Sequence, residues 1–83
     1  MENKILINVV VPILEENYNV FIPIGKTVDN VKEQLQSSIS ELSMGAVDKN
    51  QSMNLYDNNG KLLQGDLYIK EANIENGCKV ILI

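Results

Sequence analysis

Three consecutive residues are of the types that bind phosphate in nucleotide-binding loops. Gly25, Lys26 and Thr27 stand between an apolar segment and a segment with helical periodicity. Phosphate-binding loops end in this way, with Lys and Thr reaching the outer phosphate and its magnesium ion. That signature also requires a glycine at position 20, which is valine in this chain. We therefore interpret the three residues as a turn followed by a helix N-cap.

Cysteine and paired carboxylates could act in catalysis. Cys78 is a possible nucleophile, but the sequence contains no histidine to act as its base. A cysteine at the start of an apolar strand is more often a small packed side chain. Glu15 and Glu16 could form an acid–base pair, yet solvated carboxylates at a turn tip lack the pocket that such chemistry needs. We predict no catalytic residue and no enzyme activity.

A third group of residues resembles the first part of a calcium-binding loop. Residues 57–60 read Asp, Asn, Asn, Gly, but the alternating acidic ligands and the distant bidentate Glu are missing. No Cys or His pair offers zinc spacing. We predict a hairpin turn at residues 57–60, and neither a metal nor a cofactor.

Composition narrows the classes of protein that remain. The 83 residues are 45% hydrophobic and 22% charged, which is typical of one folded domain spanning residues 1–83. The sequence contains seven lysines, no arginine and eleven acidic residues, which gives a net charge of −4. Nucleic-acid binding needs a basic footprint, so we exclude it. The sequence contains no signal peptide and no membrane span, and its single cysteine suits a reducing compartment, so we expect a cytoplasmic protein without direct membrane insertion.

The first half of the chain predicts two strands and a helix. Residues 4–11 are almost continuously apolar, as in a central strand, whereas residues 18–24 contain Pro23 and are confined to a sheet edge. Thr27 is the expected N-cap of a helix that ends near residues 43–45. One apolar stripe runs along this helix: Val28, Val31, Leu35, Ile39 and Leu42.

The second half predicts three short strands. After a polar connection at residues 46–51, residues 53–56 and 61–63 flank the hairpin turn, and residues 78–83 form a last apolar strand. We expect Leu67, Ile69 and Ile74 to cover one end of the core. The first and last strands are the most apolar, so they pair in parallel at the centre, with the helix across one face. The predicted fold is α+β, a β-grasp with five strands in the order 2-1-5-3-4.

Two segments carry a family resemblance. Residues 27–32 are similar to the segment that starts the helix of ubiquitin, and residues 60–63 through Ile69, Asn73 and Ile74 resemble its fourth strand and the following loop. The resemblance covers most of the chain and implies a ubiquitin-like fold. Ubiquitin and the related sulfur carriers are activated at a flexible tail ending in Gly-Gly, whereas this sequence ends in Val80, Ile81, Leu82 and Ile83.

That ending resembles the YukD-like ubiquitin-related proteins of Gram-positive type VII secretion systems. The resemblance implies a bacterial protein that is not conjugated and that accompanies a larger component, such as the secretion ATPase or a membrane component.

Alternation along the strands predicts one uncovered sheet face. The helix-covered side takes Ile5, Ile7, Val9, Val11, Val20, Ile22, Met53, Leu55, Val80 and Leu82. The other side takes an apolar set with polar neighbours, including Asn8 and Asn54, and an uncovered apolar patch is typical of a protein-binding surface. The predicted partner-binding residues are Leu6, Val10, Phe21, Tyr56, Lys79, Ile81 and Ile83.

Ubiquitin uses the matching face for recognition, but Asn54 stands where that face has a central isoleucine. We therefore do not expect ubiquitin's own partners.

Three functions follow from these observations. The first is a non-catalytic adaptor that binds a protein partner through the open face, as an accessory of a type VII secretion system. The second is a sulfur carrier or conjugatable modifier used through its C-terminus. The third is a structural homodimer formed by the second strand or by the same patch.

Overall fold

The structure is a computed structural model and describes residues 3–83. Its strands are β1 (Lys4–Val11), β2 (Glu16–Pro23), β3 (Leu55–Tyr56) and β4 (Lys79–Leu82), and its one α-helix is α1 (Val28–Leu42). Single turns of 3-10 helix occupy Pro12–Leu14 and Ile69–Glu71. The strands form one sheet in the order β2-β1-β4-β3. This mixed sheet with one helix on one face confirms the predicted β-grasp.

The hairpin of β1 and β2 is tighter than predicted. The amide of Glu15 donates to the carbonyl of Pro12 at 3.0 Å, and Glu15 adopts a left-handed conformation with φ of 53°. The reversal is therefore complete by residue 15, and Glu16 already pairs with Val11. The second strand begins two residues before the predicted position. It lies at the edge of the sheet, as Pro23 indicated.

Helix α1 begins at the predicted residue. The side-chain hydroxyl of Thr27 accepts a hydrogen bond from the Asn30 amide at 3.3 Å, which satisfies one free donor of the first turn. The helix ends where the Gly45 amide bonds to the Ser40 carbonyl at 2.8 Å. Leu42 was predicted to be on the buried stripe, but it is 66% exposed, because the last turn extends beyond the sheet's core. Within residues 3–83, no helix has the length and apolar character needed to cross a membrane.

Strand β4 lies between β1 and β3 at the centre of the sheet. It pairs with β1 in parallel, with Val9 opposite Val80, and with β3 in antiparallel, with Leu55 opposite Leu82. The two most apolar strands are therefore neighbours, as predicted. Ile83 continues the antiparallel pairing, since its amide and carbonyl both bond to the backbone of Asn54, at 3.0 and 2.7 Å.

The prediction of a fifth strand at residues 61–63 was wrong. Leu62 forms only an isolated bridge with Tyr56, and the Leu63 amide donates to the Leu55 carbonyl at 2.9 Å. The chain then leaves the sheet, because the Gly65 carbonyl accepts a hydrogen bond from the Asp29 amide at the start of α1. Too few residues remain beside β3 to form a ladder.

The core lies between α1 and the inner side of the sheet. Two of its members were not predicted: Val47, which is fully buried in the connection expected to be polar, and Gln36, which is 4% exposed. Ile69 and Ile74 close one end of the core as expected, while Leu67 is half-buried. The buried hydrophobic residues are Ile7, Val9, Val11, Ile22, Val28, Val31, Leu35, Ile39, Val47, Met53, Leu55, Ile69, Ile74, Val80 and Leu82.

Candidate protein-binding surface

The two sides of the sheet differ in exposure. Residues that point toward α1, such as Val9 and Leu82, are fully buried. Their neighbours along the strands point to the other side, where no second layer within residues 3–83 covers them. We call this second side the open face. Of the residues predicted there, Leu6, Val10, Tyr56 and Ile81 are half-buried, whereas Phe21, Lys79 and Ile83 are exposed.

Four apolar side chains form a row across the open face. The pairing registers place Val10 beside Ile81, and Ile81 beside Tyr56. The isolated bridge places Leu62 beside Tyr56. Directly opposed residues lie on the same side of a sheet, so Val10, Ile81, Tyr56 and Leu62 stand side by side. We call them the apolar row. Ile83 lies next to this row, two residues beyond Ile81 and just past the end of β4.

Leu62 belongs to this surface although sequence reasoning did not include it. It is 51% exposed and lies directly beside Tyr56. The signal that could have found it was the three-residue loop at residues 58–60, because such a loop pairs Asp57 with Lys61 and so places Leu62 opposite Tyr56.

Leu6 and Phe21 form a second, smaller apolar group. They are direct partners in the β1–β2 ladder, and Phe21 is 64% exposed. Leu6 is four residues from Val10 on the same strand, which is about 13 Å at the usual rise per residue. The predicted patch is therefore divided into the apolar row and this pair.

A polar row, formed by Asn8 and its strand partners Asn19 and Lys79, separates the two apolar groups. Asn8 lies opposite Asn19 on β2 and opposite Lys79 on β4. The side-chain amide of Asn8 donates to the side-chain oxygens of both Asn17 and Asn19, at 3.1 Å each. These mutual hydrogen bonds hold the three asparagine side chains together, so the polar row is an ordered feature of the open face.

The charged residues in the strands of the open face have one sign. Lys4 and Lys79 occupy strand positions on this side, and both are exposed. Among the strand residues that the structure describes, none with an acidic side chain shares their side of the sheet. The protein as a whole has a net charge of −4. The charged strand residues of the open face are therefore both basic, although the protein as a whole is acidic.

A groove of about 470 Å³ borders the apolar row. Its lining includes Leu62 and Lys79 of the open face, and it continues to Leu67, Ile74 and Cys78.

The other residues considered for chemistry have structural roles. Gly25 and Lys26 form a turn and Thr27 is the helix N-cap, as interpreted from the sequence. Asp57 stabilises the predicted hairpin turn, because its carboxylate accepts the amides of Asn59 and Lys61 at 2.8 and 2.9 Å.

Cys78 is half-buried against the core, and its sulfur accepts the Glu75 amide at 3.3 Å. Within residues 3–83, no group of three or more His, Cys, Asp or Glu side chains could hold a metal ion.

Comparison with solved structures gives the same fold. The chain is similar to the EccD5 ubiquitin-like domain from Mycobacterium xenopi, with a TM-score of 0.79 and 12% identity, covering 99% of this chain and 94% of that one. A designed protein based on ubiquitin matches with a TM-score of 0.71 and 19% identity, over 100% and 90% of the two chains. Ubiquitin from Caldiarchaeum subterraneum matches with a TM-score of 0.67 and 15% identity, over 96% and 91%.

These similarities show a ubiquitin-like fold. No protein-family model and no curated protein matches the sequence.

Proposed function

We propose that this chain is a non-catalytic, non-conjugated ubiquitin-like adaptor that binds a protein partner through its open face. The observation that carries the proposal is the apolar row, which crosses three strands and the following hairpin on a side without a second layer. Contiguous apolar patches on a protein surface often mark sites that bind a partner. Covering the row removes its apolar surface from water and so stabilises the complex.

Charge specifies the chemistry of the partner. Lys79 extends from the polar row beside Ile81, and Lys4 lies at the far end of the same face. A matching partner therefore presents an apolar surface with a carboxylate facing Lys79. Such complementarity contributes more to specificity and association rate than to affinity.

Strand β4 and Ile83 are held in the sheet by backbone hydrogen bonds. Residues 79–82 are paired with β1 on one side and with β3 on the other, and Ile83 is bonded to Asn54. To enter a narrow enzyme channel, this segment would have to leave the centre of the sheet and break those hydrogen bonds.

We further propose a cytoplasmic setting as an accessory of a type VII secretion system. The resemblance to YukD-like proteins and the shared fold of the EccD5 ubiquitin-like domain support this setting. The partner would then be a larger component of the system, such as its secretion ATPase or a membrane component.

The test replaces apolar side chains of the open face with lysine. Ile81→Lys and Leu62→Lys each place a charge in the apolar row, and Leu62 is exposed enough for its replacement to leave the core intact. We expect both tagged variants to lose the partner that copurifies with the wild-type protein from its host. Met44→Lys is the matched control, because Met44 is exposed beyond the end of α1.

Mass spectrometry of the recovered protein and of its copurified partners distinguishes the remaining outcomes. Retention of every wild-type partner by both variants would refute binding through the apolar row. A partner from outside the secretion machinery would refute the proposed setting while leaving the adaptor function intact. An adenylate or thiocarboxylate on the recovered protein would refute the non-covalent mechanism.

A further inference from the structure

Two asparagines of the sequence are followed directly by glycine, Asn59 and Asn76. Asparagine is one of the thermolabile residues, because the backbone nitrogen of the next residue can attack its side-chain carbonyl carbon. A glycine in the next position has no side chain to obstruct that attack. Both glycines have a positive φ, 82° for Gly60 and 88° for Gly77, and neither has another atom within 4 Å of the place where a Cβ would be. The two sites are therefore alike in local sequence and in free space.

The fold holds Asn76 against a central strand. Its side-chain oxygen accepts the Leu6 amide at 2.8 Å. The amide of Gly77, whose nitrogen would attack, donates to the Leu6 carbonyl at 2.7 Å. Leu6 belongs to β1, which lies between β2 and β4. Both reacting groups are therefore bonded to one residue of the sheet, and they become free only when the start of the β1–β4 pairing opens.

Asn59 is held only by its own hairpin loop. Asn59 and Gly60 are both exposed in the three-residue loop at residues 58–60, and the Gly60 amide donates to the Asp57 carbonyl at 3.0 Å. In the part of the chain that the structure describes, the side chain of Asn59 makes no hydrogen bond, since the Asp57 carboxylate is bonded to the backbone amide of Asn59. Exposed loops open at a much lower free energy than paired strands. The side chain of Asn59 can therefore reach the Gly60 nitrogen while the sheet stays intact.

We propose that Asn59 is a site of spontaneous deamidation in the folded protein, and that the fold protects Asn76 from the same reaction. The Gly60 nitrogen forms a bond to Cγ of Asn59, and the Cγ–Nδ2 bond breaks. The proton of the Gly60 amide passes through water to the leaving group, which departs as ammonia. The resulting succinimide ring then adds one water. Opening at Cγ gives aspartate, opening at the backbone carbonyl carbon gives isoaspartate, and nothing is oxidised or reduced.

Isoaspartate at this position changes the loop that places Leu62. The main chain of isoaspartate passes through Cβ and Cγ, so the loop gains one methylene group. The Asp57 amide donates to the Lys61 carbonyl at 2.9 Å across the loop, and this pairing sets the register that places Leu62 beside Tyr56. A longer loop does not keep this register. The reaction at Asn59 therefore displaces Leu62 from the apolar row.

The reaction also adds a negative charge beside the open face. Asn59 and Lys79 both line the groove that borders the apolar row. A partner that presents a carboxylate to Lys79 would meet a second carboxylate there, an effect that rests on the proposed function. The deamidation itself involves this chain and water alone, so it does not depend on the adaptor function, and either can fail without the other.

Peptide mapping of the incubated protein tests the proposal. The full chain is kept at neutral pH and constant temperature, sampled over weeks and digested with trypsin, which separates Asn59 in peptide 50–61 from Asn76 in peptide 71–79. Deamidation adds about 1 Da, and fragmentation assigns the modified residue. We expect Asn59 to react at least about tenfold faster than Asn76, because only Asn76 must wait for the strands to separate. A sample taken at the start corrects for deamidation during digestion.

Two controls separate the effect of the fold from the effect of the sequence. In concentrated guanidinium chloride we expect Asn59 and Asn76 to react at similar rates, since both precede glycine. Asn59→Gln should abolish the modification of the loop, because a glutamine side chain closes a larger ring far more slowly.

Nuclear magnetic resonance tests the displacement of Leu62. We expect cross-relaxation between the Tyr56 ring and the Leu62 methyl groups to be lost in the purified isoaspartate product. Asn59→Asp introduces the charge without the extra methylene group and should keep this signal. An Asn59→Gln protein incubated for the same time should also keep it.

Other results would overturn the proposal. Reaction of Asn76 at the same rate as Asn59 in the folded protein would show that the sheet gives no protection. An Asn59 that reacts in guanidinium chloride but stays intact in the folded protein would show that the loop itself prevents the attack. An isoaspartate product that keeps the contact between Tyr56 and Leu62 would refute the displacement.

Discussion

At the scale of single residues, Gln36 connects the helix to the loop that follows it. It is the buried polar residue of the core described within residues 3–83. Its side-chain amide donates to the carbonyl of Asp48 at 3.0 Å and also to the carbonyl of Gln51. Both acceptors belong to the connection that carries Val47 into the core. Gln36 therefore holds in place a loop that has no regular secondary structure of its own.

Replacing Gln36 with leucine tests this role. Gln36→Leu removes both hydrogen bonds and leaves two carbonyls without their partner, so we expect the free energy of unfolding to fall by about 1–2 kcal/mol. Urea denaturation measures the change. The control is Gln34→Leu, an identical substitution at an exposed position of the same helix, where we expect little effect. Equal effects of the two substitutions would contradict the role of the side-chain hydrogen bonds.

At the scale of elements, a side chain extends the central parallel ladder. The Gly77 amide donates to the Leu6 carbonyl at 2.7 Å, and the Asn8 amide donates to the Cys78 carbonyl at 2.9 Å. The Leu6 amide finds its acceptor in the side-chain oxygen of Asn76 at 2.8 Å. Gly77 has a φ of 88°, so the chain turns before a backbone carbonyl can serve this amide. Asn76 therefore completes the start of the β1–β4 pairing.

Two substitutions of Asn76 distinguish the effect of its hydrogen-bond acceptor from the effect of its side-chain size. Asn76→Ala removes the acceptor, and we expect a loss of about 1 kcal/mol in unfolding free energy with faster hydrogen exchange at the Leu6 amide. Asn76→Asp keeps an oxygen at the same place and should preserve the protection of that amide. If alanine leaves the exchange rate of Leu6 unchanged, Asn76 does not extend the ladder.

At the scale of the whole molecule, net charge matters more than individual ion pairs. Within residues 3–83 the one ion pair joins Lys32 to Asp29 at 3.8 Å, on an exposed part of α1. Such pairs contribute little to stability. The net charge of −4 acts on a molecule measuring 33 × 26 × 20 Å. Repulsion among the acidic residues therefore opposes the compact state.

Salt should consequently stabilise the protein at neutral pH. The screening length falls from about 30 Å at 0.01 M salt to about 10 Å at 0.1 M, so repulsion across the molecule is removed over this range. We expect a gain on the order of 0.5 kcal/mol, which raises the Tm by about 2–4 °C for a domain of this size. Calorimetry in sodium chloride measures it. Near pH 4.6, the isoelectric point of the sequence, the salt effect should vanish, and a Tm that falls with salt at neutral pH would contradict the argument.

Local patterns were sufficient for the main elements. The bounds of β1 and the start of α1 match their predicted positions, because apolar alternation, helical spacing and a capping threonine act within a few residues of one another. The central position of β4 also followed from the sequence, since β1 and β4 are the two most apolar strands, although only their helix side is fully buried.

To predict the arrangement of the open face, the strand register is needed as well as the alternation of side chains along each strand. Alternation was enough to predict that Leu6, Val10, Phe21, Tyr56 and Ile81 share one side. It could not predict that the asparagines of β1 and β2 bond to one another across that side, or that Leu62 joins the apolar row.

The sequence by itself therefore determined the bounds of β1, the start of α1 and the alternating core positions of the strands, whereas the tertiary structure decided which loop residues enter the core and which surface residues are neighbours. The burial of Val47, the hydrogen bonds of Gln36 and the division of the open face all join positions that are distant in the chain. Such contacts depend on how the strands pair and where the loops return, and no periodicity within one segment contains that information.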